Sequence, residues 1–263
     1  MTPDHAPLLD GDQLRSLLQT LKAADSVELK VTVPESSQRS TLAALGVDPL
    51  DAQIRQVFFL DTPALDLNRA GLVLRARRIQ RQDADTVVKV RPIVPEDLSE
   101  EWPHSPGFTV EVDAMPGGHV CSASLRHTVS NDAVRRSVAG EKALRSLFSA
   151  PQHAFFDEYA PQGLGLEELS VLGPVFVLKL KLSKKVFPRR IVVEMWLYPD
   201  GSRVLELSAK CPPGKAVDVA SALRELLSSR GIAVSAQQQT KTRSALEFFA
   251  AELSARDRTP AQH

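Results

Sequence analysis

Cysteine is scarce: Cys121 and Cys211 are the only two in 263 residues, too few for a disulfide framework and matching no metal-ligand spacing. Reduced thiols are expected, as in a cytoplasmic protein. Charge of one sign is also lacking, because 32 Lys and Arg balance 32 Asp and Glu. That balance excludes the bulk positive field that holds a nucleic-acid backbone nonspecifically, so any anion site must be a local concentration of bases. No run approaches the roughly 20 apolar residues of a membrane span. The opening M-T-P-D-H-A-P-L-L-D has neither the basic stretch nor the apolar run of a secretory signal. Neither G-x-x-x-x-G-K-[ST] nor G-x-G-x-x-G occurs, which argues against a P-loop or a dinucleotide fold.

What the chain does have is repeated strand-period alternation with one charged face. In S-V-E-L-K-V-T-V, Ser26, Glu28, Lys30 and Thr32 share one side, and Val27, Leu29, Val31 and Val33 the other. The pattern returns in L-V-L-R-A-R-R (Val73, Arg75, Arg77) and in T-V-V-K-V-R (Val87, Lys89, Arg91). It returns again in F-T-V-E-V-D (Thr109, Glu111, Asp113) and in V-F-V-L-K-L-K-L (Lys179, Lys181). The strand over 190–198 carries Glu194, Trp196 and Tyr198, and the one over 204–210 carries Glu206, Ser208 and Lys210, with Pro199-Asp200-Gly201 as the turn between them.

Between these runs the stretch 115–172 reads differently. Gly117-Gly118 breaks the alternation, and 134–159 has helical spacing interrupted near Pro151. A helical insertion is expected there. A helix with an apolar stripe at Leu14, Leu17, Leu18 and Leu21 is expected within residues 1–24, and a polar tail over 251–263. His104, His119, His127 and His153 have no partners at ligand spacing.

With R-Q-V-F-F-L over 55–60, about eight strands therefore carry acid or base on one face and aliphatics on the other. A flat sheet would leave the charged face in water. Closing the sheet would turn that face into a lumen with helices outside. Several strands carry charge of a single sign, which favours closure, and a lumen lined with both signs calls for a ligand. A polyanion with a divalent cation satisfies both sets of charges.

Glu28-Leu29-Lys30, D-T-P-A-L-D-L-N-R-A-G-L-V-L-R-A-R-R over 61–78, V-V-K-V-R over 87–91, E-V-D over 111–113 and T-K-T-R over 240–243 resemble the CYTH family of triphosphate tunnel metalloenzymes. The resemblance covers about 27–249 and implies an α+β protein. Its tunnel domain (25–250) would be an eight-stranded antiparallel closed β-barrel with helices packed outside. It implies a triphosphate or polyphosphate small molecule as ligand, Mg²⁺ or Mn²⁺ as cofactor, and triphosphatase or adenylate cyclase activity. No membrane or bulk nucleic-acid partner is implied, and a homodimer is left open.

Residue by residue, the resemblance assigns phosphate contacts to Lys30, Arg75, Arg77, Lys89 and Lys241, with Arg91, Lys179, Lys181 and Arg243 beside them. Metal positions fall on Glu28, Glu194 and Glu206, with Glu111 on the wall. Glu28, Lys30 and Glu206 would carry the chemistry. Two positions depart from the family pattern: Ser26 stands where E-x-E-x-K has its first glutamate, and Ser208 where a later E-x-E has its second. Asp25 is one residue out of register with the lumen face. With two carboxylates fewer, a non-catalytic triphosphate receptor is the alternative.

Overall fold

A computed structural model describes residues 18–182, 187, 190–235 and 241–258, the side chains of 243–244 and 254–258 excepted. Most of the expected first helix, the basic residues Lys184, Lys185 and Arg189, and the Arg243 side chain lie outside the described residues. Among the described residues nine strands form one closed barrel: β1 (Ser26–Val33), β2 (Gln53–Asp61), β3 (Leu72–Ile79), β4 (Ala84–Val90), β5 (Phe108–Met115), β6 (Gly118–Val129), β7 (Ser170–Lys181), β8 (Ile191–Leu197) and β9 (Arg203–Cys211). Their order around the barrel is β1-β5-β6-β4-β3-β2-β7-β8-β9.

The expectation of eight antiparallel strands is corrected in two ways. The ninth strand is β6, which lies inside the stretch read as a helical insertion. Its alternation is muted beside that of its neighbours, because the inward positions Ser122 and Ser124 are small and uncharged and Arg126 alone on that face carries charge. The turn at Pro116-Gly117, with Gly117 at φ +90°, joins β5 to β6 as a hairpin pairing Met115 with Gly118. The sheet is also mixed. β1 runs parallel to β5, Ser26 facing Glu111 and Glu28 facing Asp113, while every other pairing is antiparallel. Alternation records which face a side chain takes and carries no information about which strand lies alongside.

The aliphatic faces of the strands point outward and are covered. Val27, Val31, Leu205, Leu207 and Ala209 pack under the helix Ala216–Ser229 through Val219, Leu223 and Leu226. On the other flank, Leu74, Ala76, Val88 and Leu125 pack with Val134, Phe155 and Phe156 of the helices Asn131–Val138 and Ala150–Tyr159. Pro151 opens the second of these helices, with Ser149 as its cap and Gln152 completing a capping box.

A third apolar cluster lies inside the barrel. Val57, Phe59, Val73, Val175, Val177, Trp196 and Val204 meet Ala245, Leu246 and Phe249 of the helix Lys241–Arg258. That helix fills one end of the lumen and puts its first residue, Lys241, among the charged side chains.

Candidate functional site

The strand that carries the basic pair Arg75 and Arg77 is positioned by the run D-T-P-A-L-D-L-N-R-A-G. Asp61, 1 % exposed, accepts hydrogen bonds from the backbone N–H groups of Thr62 (2.8 Å), Leu67 (2.9 Å) and Asn68 (3.0 Å), which nucleates the short helix Asp66–Arg69. Burial pushes the Asp61 pKa up, against those three donors. Gly71 follows at φ +78°, and a Cβ there would stand 2.4 Å from the carbonyl oxygen of Arg91. The Arg91 N–H donates to Gly71 O at 2.8 Å, so β3 begins in close register with the end of β4.

Inside the barrel is a cavity of about 360 Å³. Among the described residues it is lined by ten bases (Lys30, Arg55, Arg75, Arg77, Lys89, Arg91, Arg126, Lys179, Lys210, Lys241) and five acids (Glu28, Glu111, Asp113, Glu194, Glu206), a surplus of five positive charges. The charges sort into three groups.

The first is an acidic corner. Carboxylate oxygens of Glu28, Glu111 and Asp113 all lie within 4.8 Å of one another. Lys30 Nζ sits 3.0 Å from Glu28 and 2.7 Å from Asp113, Lys89 Nζ is 3.4 Å from Asp113, and Lys210 Nζ pairs with Glu111. Ser26 Oγ donates to Glu111 at 3.3 Å. Burial opposes the charges of Glu28, Lys30, Lys89 and Asp113. The Lys30 ammonium nonetheless has its pKa raised by Glu28, Asp113 and Glu206, and both Glu28 and Asp113 are held below their ordinary range by the lysines. Lys89 is pushed down, burial outweighing Asp113.

The second group centres on Lys241. Its ammonium donates to Glu206 at 2.6 Å and to Glu194 at 3.0 Å, and lies 5.0 Å from the centre of the Trp196 ring. Lys179 adds a 3.4 Å ion pair to Glu194, and Trp196 Nε1 donates to the same carboxylate at 3.3 Å. Despite burial, Lys241 and Lys179 hold Glu194 far below its ordinary pKa, whereas burial wins at Glu206 and raises it. One ammonium shared by two carboxylates stabilises one of them more than the other.

The third is a wall of arginines on β2, β3 and β6. Arg77 binds Asp85 bidentately, Nε to Oδ1 at 2.8 Å and Nη2 to Oδ2 at 2.6 Å, and Arg126 shares the same carboxylate. Asp85 is buried, yet the two arginines bring its pKa down to about 2. Arg55 donates to the neutral Gln53 Oε1, at 3.1 and 2.8 Å. Arg75 Nε is buried with no hydrogen-bond partner among the described residues. Burial and the neighbouring Arg77 lower Arg75 to about 9 and Arg55 to about 10.

The structure brings together Glu28, Lys30, Arg75, Arg77, Lys89, Arg91, Glu111, Lys179, Glu194, Glu206 and Lys241 around one cavity. The four expected metal positions fall in two places, Glu28 and Glu111 in the acidic corner and Glu194 and Glu206 around Lys241. Lys181 is exposed and does not line the cavity. Ser208 is buried on β9, paired with Lys30 of β1, and it helps Lys30 hold the Glu28 carboxylate below its ordinary range. Asp25 faces the backbone instead, its Oδ2 accepting from Val110 N–H at 2.7 Å and so fastening β1 to β5.

Parity places Asp113 and Lys210 on the charged faces of their strands, two residues beyond Glu111 and Ser208, without marking them as site residues, and Arg55 carries no such mark either. Arg126 was hidden with its strand.

No protein-family model matches the sequence, and no curated protein matches it either. Solved structures do match in fold. A candidate adenylyl cyclase from Hippeastrum with a dominant triphosphatase activity is 18% identical, over 84% of this chain and 95% of that one, with a TM-score of 0.62. A candidate adenylate cyclase from Bacillus halodurans is 13% identical, over 83% of this chain and 98% of that one, with a TM-score of 0.56. The chain shares the fold of these structures, a closed barrel over most of its length.

Proposed function

We propose that the chain is a CYTH-type phosphohydrolase that binds a triphosphate-containing compound with a divalent cation inside the barrel and releases the terminal phosphate. The observation that carries this reading is the cavity lining: ten bases against five acids in a chain whose formal net charge is zero. A surplus of five positive charges, with a buried unpartnered Arg75 Nε, suits the four to five negative charges of a triphosphate. An isolated buried charge otherwise costs several kcal/mol, so such a wall calls for an anion.

The donor set suits a hard cation. Glu28, Glu111 and Asp113 offer three carboxylate oxygens close together, the ligand type that Mg²⁺ and Mn²⁺ take. When bound, the cation supplies charge neutralisation on phosphate oxygens. Arg75, Arg77, Lys89 and Arg91 hold the phosphate chain by charge-assisted hydrogen bonds and stabilise charge gathering on it during in-line displacement. Lys30, held protonated by its carboxylates, keeps its charge throughout. Glu206, whose pKa burial raises, is the carboxylate best suited to take the proton of the attacking water.

A second reading, a receptor without turnover, is favoured by one observation: Ser26 and Ser208 face the acidic corner with hydroxyls in place of carboxylates. One experiment separates the readings. Phosphate, pyrophosphate and cyclic nucleotide are measured from tripolyphosphate, thiamine triphosphate and ATP with Mg²⁺, with Mn²⁺ and with chelator, on wild type and Glu206→Gln. Metal-dependent phosphate release lost in the variant supports the hydrolase, and cyclic AMP from ATP would replace it with a cyclase. No product, with tripolyphosphate still raising the melting temperature, leaves the receptor.

A further inference from the structure

The acidic corner contains as many ammonium groups as carboxylates. Glu28 is paired with Lys30, Asp113 with Lys30 and Lys89, and Glu111 with Lys210. Three acids meet three lysines, so the corner is neutral as it stands although its oxygens are close enough to share a cation. Lys210 is the member that no phosphate or metal role accounts for. It lies on β9 directly across from Glu28 of β1, reaches Glu111 on β5, and its side chain is 56 % exposed at the rim of the cavity.

We infer that Lys210, with Lys30 and Lys89, acts as an exchangeable counter-ion that makes cation binding depend on phosphate binding. This inference rests on the proposed phosphate and cation sites. A divalent cation entering alone would displace lysines from their carboxylates and leave ammonium groups facing the incoming charge. A phosphate chain entering alone would draw the lysines away and leave carboxylates unpaired beside an anion. Entering together, the two ligands exchange partners completely: the lysines pass to phosphate oxygens and the carboxylates to the cation. Each ligand therefore raises the affinity for the other by the same factor, as linkage requires. Lys210 suits this exchange because a long, half-exposed side chain releases its partner at little cost in packing.

The coupling is measured without turnover, by the electron paramagnetic resonance signal of free Mn²⁺ titrated with the full chain. Orthophosphate serves as the anion, since it chelates Mn²⁺ weakly in solution. For wild type, Mn²⁺ is expected to bind weakly alone and about tenfold more tightly with orthophosphate. In Lys210→Gln, Mn²⁺ alone should bind about tenfold more tightly than in wild type, the effect of one neighbouring like charge removed, and the orthophosphate enhancement should shrink. A thermal melt checks that the variant is folded, and the wild-type comparison needs no variant. Equal Mn²⁺ affinity with and without orthophosphate in wild type would overturn the coupling while leaving a cation site standing. So would Lys210→Gln binding Mn²⁺ no better than wild type. Absence of Mn²⁺ binding under every condition would overturn both the coupling and the cation site on which it rests.

Discussion

Replacing Lys241 by methionine tests how the final helix is tied to the lumen. The side chain would still fill the space over Trp196, but Glu194 and Glu206 would lose the ammonium they share at 3.0 and 2.6 Å. Removing one partner of a buried ion pair costs about 3–5 kcal/mol, because the remaining charge is stranded. Lys179 stays within 3.4 Å of Glu194, and the side chains are 13 %, 18 % and 9 % exposed rather than sealed, so the lower value of about 2–3 kcal/mol is expected. The sign of the pH dependence follows. Glu206 already has its pKa raised by burial, with Lys241 the main opposing influence, so the variant raises it further. A carboxyl group whose folded pKa lies above its unfolded value destabilises the fold increasingly as pH rises through that interval. Urea unfolding of wild type and Lys241→Met at pH 5 and pH 7 should therefore show the larger difference at pH 7. A difference below about 0.5 kcal/mol, equal at both pH values, would refute the reasoning.

Three further outcomes follow from the same geometry. In Asp85→Asn, Arg77 and Arg126 lose their shared carboxylate, and urea titration should report a loss of about 2 kcal/mol at pH 7. The folded Asp85 pKa, about 2, is below its ordinary value, so its contribution is present above about pH 4 and lost as pH falls toward 2. The acid limb of the stability profile should be correspondingly shallower in the variant. Gly71→Ala places a methyl group 2.4 Å from Arg91 O at φ +78° and should cost about 2–4 kcal/mol in melts. Asp61→Ala removes the acceptor for three backbone N–H groups and should cost about 2–3 kcal/mol, with hydrogen exchange accelerated over 66–71.

The barrel was legible wherever an inward face carries charge. Glu28 and Lys30, Arg75 and Arg77, Lys89, Glu111, Lys179, Glu194 and Glu206 alternate with aliphatic residues, and that alternation names both the strand and its lumen side. β6 was illegible because a single charge, Arg126, follows the uncharged Ser122 and Ser124 on its inward face, too little to set up an alternation. The parallel β1–β5 contact depends on which edge strands meet when the barrel closes, which no local pattern encodes. The division of the acids was hidden too. Glu28 and Glu111 meet Asp113, whereas Glu194 and Glu206 meet Lys241, because the final helix inserts its first residue between them. That insertion depends on Ala245, Leu246 and Phe249 packing on the inner residues Phe59 and Val175, a tertiary contact across most of the chain.

If the arginine wall holds a phosphate chain, Arg75 should be the residue most dependent on it, because its Nε is buried without a hydrogen-bond partner among the described residues. Melting curves of wild type and Arg75→Leu are compared with and without tripolyphosphate, in chelator so that no cation contributes. Tripolyphosphate should raise the wild-type melting temperature by several degrees, Arg75→Leu without ligand should melt no lower than wild type, and the ligand shift should be lost in the variant. A wild-type melting temperature unmoved by tripolyphosphate, or a full shift retained in Arg75→Leu, would contradict it.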